Sequence, residues 1–234
     1  MIKIEDLSKS FGSFYALRDI NLEINSGDFW IIVGPNGAGK TTLLKIIATL
    51  SQPSSGSINI NGILSNKNKL NIRRQIGFIG HQSFLYNNLT AEENLKFYSQ
   101  MYYLNNATQR IDEILKRVGL WDRKSDLVRT FSCGMQQRLS ISRALLTDPN
   151  IILLDEPFSG LDQSAIDNFI QLFSSLISPD RVIIMTTHNL QLGLQLATHF
   201  AILSKGRIVH KDQTNMIDLS RFKDLYKELT GGAN

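Results

Sequence analysis

Gly34-Pro35-Asn36-Gly37-Ala38-Gly39-Lys40-Thr41 sets two glycines, a lysine and a hydroxyl at the spacing of a phosphate-binding loop. Before it, Phe29-Trp30-Ile31-Ile32-Val33 is a short apolar run suited to a buried strand. After it, Thr42 to Leu50 carries Leu43, Ile46, Ile47 and Leu50 at helical spacing. The stretch therefore has strand, loop and helix in sequence. A triphosphate needs backbone N–H groups converging on it from such a loop and from a helix N-terminus, where peptide dipoles favour anions. Gly34, Gly37 and Gly39 let the backbone approach, Lys40 reaches the β- and γ-phosphates as a point charge, and the Thr41 hydroxyl ligates Mg²⁺. The plainer alternative is a glycine-rich turn between a strand and a helix.

The 234 residues, 42% of them hydrophobic, supply a real core and fit one or two domains. Twenty-five basic residues against 21 acidic give a net charge of +4 with no block of like charges, so no nucleic-acid partner is expected. Cys133 is the single cysteine, which excludes an internal disulfide framework and suits a reducing compartment, the cytoplasm by default. The first six residues are mixed and acidic where a secretory leader needs an apolar core, and no run approaches the roughly 18 apolar residues of a membrane helix. A role at a membrane therefore requires another chain.

Alternating apolar residues from Ile2 to Leu7, Arg18 to Ile24 and Ser57 to Ile60 predict antiparallel strands. The uninterrupted runs Phe29 to Val33, Ile76 to Ile79, Ile151 to Leu154, Val182 to Met185 and Phe200 to Leu203 predict a parallel sheet covered on both faces. Between Thr90 and Leu146 the pattern is helical: Thr90 and Glu93 form a capping box, and Ile111, Ile114, Leu115 and Val118 make one stripe closed by Gly119. Helices follow at Ser164 to Ile177 (Ile166, Ile170, Phe173 and Ile177 in phase), Asn189 to Ala197 and Ser220 to Leu229, and a Lys205-Gly206 turn closes a hairpin to Arg207 to His210. The fold class is α/β: a phosphate-loop core with a mostly parallel sheet, an N-terminal antiparallel β subdomain and an inserted helical subdomain. Residues 1–89 and 147–234 are expected to form the core with its β subdomain, and 90–146 the helical part.

Ile151-Ile152-Leu153-Leu154-Asp155-Glu156-Pro157 ends a buried strand in two carboxylates, at the sheet edge where open α/β folds hold ligands. Asp155 would share the Mg²⁺ shell with Thr41, and Glu156 would act as the general base for the attacking water. A helix-capping acid pair is the plainer reading. His188 follows the next strand and can face the same γ-phosphate. Gln82, after the strand at 76–79, can reach metal and water with its amide. Phe131-Ser132-Cys133-Gly134-Met135-Gln136 opens a helix with a serine cap, which again offers N–H groups to an anion.

Over nearly its whole length the chain resembles the ATP-binding subunit of an ABC (ATP-binding cassette) transporter. Gly34, Pro35, Asn36, Gly37, Ala38, Gly39, Lys40, Thr41 and Thr42 resemble the Walker A loop and Gln82 the Q-loop. Ser132, Gly134, Met135 and Gln136 resemble the signature, Ile151 to Glu156 Walker B, Ser159-Gly160-Leu161-Asp162 the D-loop, and His188 the switch histidine. The resemblance implies a Mg²⁺-dependent ATPase, with Phe11 against the adenine, Glu156, His188 and Gln82 as catalytic residues, and Thr41, Gln82 and Asp155 around the metal. It also implies a second ATP-binding subunit, identical or not, whose bound γ-phosphate meets Ser132 and Gly134. A transmembrane permease completes the assembly, with this chain peripheral on the cytoplasmic face of the inner (cell) membrane.

Two signature positions depart from the family's Leu-Ser-Gly-Gly-Gln: Cys133 replaces a glycine and Met135 the glutamine. Met135 removes a polar contact, which leaves open a lower turnover or a mixed dimer, and Cys133 is expected to be a small packing residue. Phe97, Tyr98, Met101, Tyr102 and Tyr103 are expected to be mostly core with some partner contacts. Gly80-His81-Gln82 followed by Leu89-Thr90-Ala91-Glu92-Glu93-Asn94-Leu95 is similar to the haem-exporter ATPase of cytochrome c maturation and to drug and polysaccharide exporter ATPases. Two other classes stay open: a non-transport ABC protein acting on DNA or ribosomes, which usually carries a long insertion absent here, and a regulatory ATP-binding module.

Overall fold

The structure, a computed structural model, describes residues 1–80, 82–160 and 162–231, with Ser164 described for its backbone alone. His81 and Leu161, named above within the Q-loop and D-loop stretches, lie outside the described residues. Strands β1 (Ile2–Phe11), β2 (Phe14–Ile24), β3 (Phe29–Val33), β4 (Ser55–Ile60), β5 (Ile63–Leu64), β6 (Ile76–Ile79), β7 (Ile151–Asp155), β8 (Val182–Thr186), β9 (His199–Ser204) and β10 (Arg207–Gln213) form two sheets. One is antiparallel, in the order β2-β1-β4-β5; the other runs β10-β9-β3-β8-β7-β6, with only β10 antiparallel. Helices α1 (Lys40–Ile47), α2 (Lys69–Arg74), α3 (Ala91–Met101), α4 (Ala107–Arg117), α5 (Cys133–Leu145), α6 (Gln163–Ser174), α7 (Leu190–Leu196) and α8 (Leu219–Thr230) complete the fold.

The apolar runs behave as a doubly covered sheet demands. Every residue of β3, β7 and β8 is buried, and successive side chains feed opposite faces. Ile31, Val33, Ile152, Leu154 and Met185 join one core cluster; Trp30, Ile32, Ile151, Leu153 and Ile184 join the other. The first cluster extends into α3, α4 and α5 through Leu95, Ile111, Ile114, Leu115 and Leu139, so the helical subdomain shares a core with the sheet. The second packs the antiparallel sheet and α1 on the opposite face through Ile4, Leu22, Leu43 and Ile47.

Register sets the site. Ile32 of β3 and Asp155 of β7 both pair with Thr186 of β8. The phosphate loop, the two carboxylates and the segment after β8 therefore leave the sheet side by side at its C-terminal edge, where open α/β sheets place ligands.

Several local expectations change. Helical spacing puts Leu50 in phase with Leu43, Ile46 and Ile47, but the helix ends at Ile47, Thr49 turns to φ +59°, and Leu50 is exposed. Ile177 lies beyond the end of α6 and is exposed; Phe169, Leu172 and Phe173 supply the buried face of the helix, and Leu176, just after it, is buried. Phe97, Met101 and Tyr103 are exposed and Tyr98 and Tyr102 half-buried, because Ala91, Asn94, Leu95 and Ser99 carry the inner face of α3. Cys133 is exposed rather than packed. The capping box of α3 forms in both directions, Glu93 N–H to Thr90 Oγ1 at 3.1 Å and Thr90 N–H to Glu93 Oε2 at 2.8 Å.

Candidate active site

A cleft of about 420 Å³ opens at the C-terminal edge of the six-stranded sheet. It is lined by Asn36 to Thr42 of the loop and α1, by Glu156 and Ser159 after β7, by His188 after β8, and by Phe11, Phe14 and Ala16 of the β1–β2 hairpin. The loop is held where only glycine fits. A Cβ on Gly34 would lie 2.2 Å from the Leu203 carbonyl oxygen, and one on Gly39 2.4 Å from that of Ala16, with Gly39 at φ +107° besides. The sheet edge and β2 thus fix the loop from two sides.

Lys40 is buried, and its ammonium donates to the carbonyls of Gly34 at 2.7 Å and Pro35 at 3.2 Å, with Glu156 Oε1 at 3.9 Å. Burial pushes its pKa down, and the charges of Glu156 and Asp155 oppose that shift. The ammonium therefore sits on weak carbonyl acceptors in a desolvated site, and a phosphate oxygen is a better partner.

Asp155 is buried at the end of β7. Its Oδ1 accepts from Thr41 Oγ1 at 3.0 Å and Thr186 Oγ1 at 2.8 Å. Glu156 takes a left-handed backbone, φ +53°, fixed by its N–H donating to Thr186 Oγ1 at 3.0 Å and Thr186 O at 3.2 Å. Such a conformation is costly for a non-glycine residue and persists only where surroundings impose it. His188 Nε2 lies 2.9 Å from Glu156 Oε1, an ion-pair distance without the alignment of a hydrogen bond, so this buried carboxylate oxygen has no hydrogen-bond partner among the described residues. Asn189 caps α7, its side chain accepting from Leu192 N–H at 3.0 Å, and so anchors the chain directly after His188.

The residues fit a magnesium ion. No group of three or more His, Cys, Asp or Glu among the described residues forms a metal cage. Mg²⁺, however, takes one or two protein oxygens and fills its shell from phosphates and water. Thr41 and Asp155 supply that pair.

A second groove, of about 300 Å³, shares no lining residue with the cleft; Ser132, Cys133, Gly134, Arg138, Gly160, Asp162 and Asn168 line it. Ser132 caps α5 by accepting from Met135 N–H at 3.3 Å, and Asp162 caps α6 by accepting from Ala165 N–H at 2.8 Å. Met135 packs against the core, and the Gln136 amide donates to Phe131 O at 3.4 Å, so neither side chain lines the groove. Gln82 is exposed on the loop after β6, and the structure does not bring it among the cleft residues.

Sequence reasoning missed Phe14, Ala16 and Gln137. The Gln137 amide donates to Pro157 O at 3.3 Å and ties the signature helix to the turn that presents Glu156. Phe14 and Ala16 follow from strand alternation once Phe11 is placed; Gln137 had no signal beyond its helix.

A family profile described as ABC transporter matches residues 17–159. The chain is 34% identical over 233 residues to the ABC transporter ATP-binding protein NatA of Bacillus subtilis, covering 96% of this chain and 95% of that one. It is 39% identical to the bacitracin transport ATP-binding protein BcrA of Bacillus licheniformis over 90% of this chain and 69% of the relative. With the linearmycin resistance ATP-binding protein LnrL of Bacillus subtilis the identity is 31%, over 89% and 68%. Among solved structures, the dimeric post-hydrolysis state of the ATP-binding cassette MJ0796 bound to ADP and Pi superposes with a TM-score of 0.83 at 32% identity, over 92% of this chain and 99% of that one.

Proposed function

This chain belongs to the ABC transporter ATP-binding family, and we infer that it is the ATPase subunit of an exporter, working as a two-chain ATP sandwich on a separate membrane permease. It is a Mg²⁺-dependent ATPase. The observation that carries the reading is the convergence of Lys40, the Thr41–Asp155 pair and the Glu156–His188 pair on one cleft.

In that cleft Lys40 exchanges its carbonyl partners for phosphate oxygens. Thr41 and Asp155 would hold a Mg²⁺ ion, whose positive charge would favour the triphosphate and its transition state there. Glu156, its free carboxylate oxygen buried beside His188, orients a water and takes its proton as the water attacks the γ-phosphorus and the bond to ADP breaks. His188 contacts the γ-phosphate and holds Glu156 in place.

The second groove carries Ser132 and Gly134 at the N-terminus of α5, where the first helix N–H groups have no intrahelical carbonyl, and no lysine lines it among the described residues. A second subunit's ATP fits there, giving a dimer with two composite sites. The division into 1–89 and 147–234 as core and 90–146 as helical subdomain is part of this reading. So is docking of the permease at the aromatic groove lined by Leu50, Phe84, Tyr98 and Tyr102, between the sheet and α3. Gln82, exposed on the loop beside Phe84, acts from there as the link between that partner and the metal-bound phosphate. No helix among the described residues is long and apolar enough to cross a membrane, and the chain sits on the cytoplasmic face through its permease.

Export is supported by relatives named for bacitracin transport and linearmycin resistance. The haem-exporter likeness of Gly80 to Leu95 has no counterpart among the relatives named above. In proteoliposomes of this chain with its co-isolated permease and ATP outside, a compound that stimulates hydrolysis is expected to accumulate in the lumen. Release of preloaded compound instead would show import.

A further inference from the structure

Helix α5 carries a polar stripe. Gln137, Ser140 and Arg143 stand three residues apart, so each neighbours the next along the helix surface. Each donates from its side chain to a backbone carbonyl outside the helix: Gln137 Nε2 to Pro157 O at 3.3 Å, Ser140 Oγ to Ser83 O at 3.3 Å and Arg143 Nη2 to Phe78 O at 3.0 Å. Ser140 and Arg143 are buried. Their bonds to β6 and to the loop after it hold α5 against the sheet, so Gln137 meets Pro157 from an element already fixed in place.

The turn it meets is the one that presents Glu156 in its left-handed backbone, φ +53°. On one side that turn hangs from Thr186, which accepts the Glu156 N–H through both Oγ1 and O. On the other, Ser159 N–H closes back on Glu156 O at 3.2 Å, a bond within the turn itself. Pro157 is buried and has no N–H to donate, so its carbonyl is its one backbone hydrogen-bonding group, and a buried carbonyl requires a partner. Among the described residues Gln137 is the only donor to it.

We propose that Gln137 is a positioning residue for hydrolysis: its bond to Pro157 O holds the strained turn so that the Glu156 carboxylate keeps its place beside His188. The inference rests on Glu156 being the base. One helix then serves both half-sites of its subunit, its N-terminus facing the partner's phosphate and its second turn steadying the subunit's own base. No residue of α5 lines the cleft, so Gln137 acts only through the turn.

Steady-state hydrolysis by Gln137→Met, which keeps the length of the side chain and removes its donor, tests this. The kcat should fall about tenfold, as for one hydrogen bond lost at the transition state, with KM for ATP unchanged. In a Glu156→Gln background, where the carboxylate is already gone, the same change should cost nothing further. Mixed dimers separate positioning from damage to α5. When Lys40→Ala and Gly134→Asp chains are combined, the working site takes its lysine and Glu156 from the Gly134→Asp chain and its signature from the other. Gln137→Met should lower the rate of the mixture about tenfold when carried by the Gly134→Asp chain and leave it unchanged when carried by the Lys40→Ala chain. Loss from the Lys40→Ala chain instead, a KM that rises as much as kcat falls, or full kcat in Gln137→Met while Glu156→Gln is inactive overturns the role of Gln137. Full turnover of Glu156→Gln would instead remove the base that Gln137 is held to position.

Discussion

Gly39 and Gly134 stand at the starts of two helices, α1 and α5, and the space around them is opposite. A Cβ at Gly39 runs into the Ala16 carbonyl, whereas one at Gly134 finds only the Ala165 methyl, at 3.9 Å. The phosphate loop needs its glycine to fold against this chain's own β2. The signature helix has room for a side chain and a backbone that would accept one, so any demand for glycine there comes from outside the subunit. The same contrast extends to the polar groups: Lys40, Asp155 and Glu156 are buried or nearly so, with Lys40 beside Glu156 and Asp155 bonded to Thr41, while Ser132 is exposed with its hydroxyl on a local cap. On the proposed function, the first region is the catalytic half of the site and the second the face it presents to a partner.

The largest effect should come from the side that is complete. Glu156→Gln keeps the shape of the cleft and removes the proposed base, so hydrolysis should fall by about two to four orders of magnitude, the range for a lost general base. ATP binding should persist, and gel filtration with ATP should show a stable dimer. Near wild-type turnover in this variant would leave the attacking water to another group.

Gly134→Asp tests the surface that needs a partner. The side chain has space in the subunit, so folding and ATP binding by the single chain should be unchanged. Hydrolysis should fall about a hundredfold, as for loss of one preorganised donor at a transition state, because a carboxylate now meets the other subunit's phosphate. Mixing this variant with Lys40→Ala should restore part of the rate, since one composite site in each mixed pair keeps an intact lysine and an intact glycine. Full activity of Gly134→Asp alone would make the groove a bystander.

Lys40→Ala returns to the cleft with a smaller consequence. It deletes a charge-assisted contact worth roughly 1.5 to 3 kcal/mol, so ATP affinity should drop by about one to two decades. Calorimetric titration showing the same affinity would mean that the loop does not hold the phosphates.

The two regions were also unequally legible in the sequence. The cleft was readable because each of its parts carries a local signal: an apolar run that must be a buried strand, followed by residues whose chemistry a strand end presents. Register did the rest, since Ile32, Thr186 and Asp155 share one line across the sheet. What the sequence hid was side-chain direction. Gln82 stands on an irregular loop, where no period fixes orientation, and it lies outside the cleft. Met135 replaces a polar residue, and the core takes it up. The aromatic run at 97–103 looked like core by composition, yet α3 buries Asn94 and Ser99 instead. Asn94 accepts from Tyr86 N–H at 2.8 Å and donates to the Tyr86 and Thr90 carbonyls at 3.0 and 2.9 Å, pairing backbone that has no sheet to pair with.

The smallest effect belongs to that helical side. Thr90→Ala removes half of the capping box of α3 and should cost about 1 kcal/mol, the usual loss for an N-cap. Hydrogen exchange should rise in α3 and in the loop that Asn94 secures, while ATP affinity stays as it was, because no residue of α3 lines the cleft. Acid should mimic the change. Hydrogen bonds from Thr90, its backbone N–H first, hold the Glu93 carboxyl below its ordinary pKa. Its share of the cap is therefore present above that ordinary value and lost as pH falls through the lowered one. If Thr90→Ala weakened ATP binding as much as exchange protection, the cleft and the helical side would be one cooperative unit, and the contrast between a preformed site and a partner-dependent surface would fail.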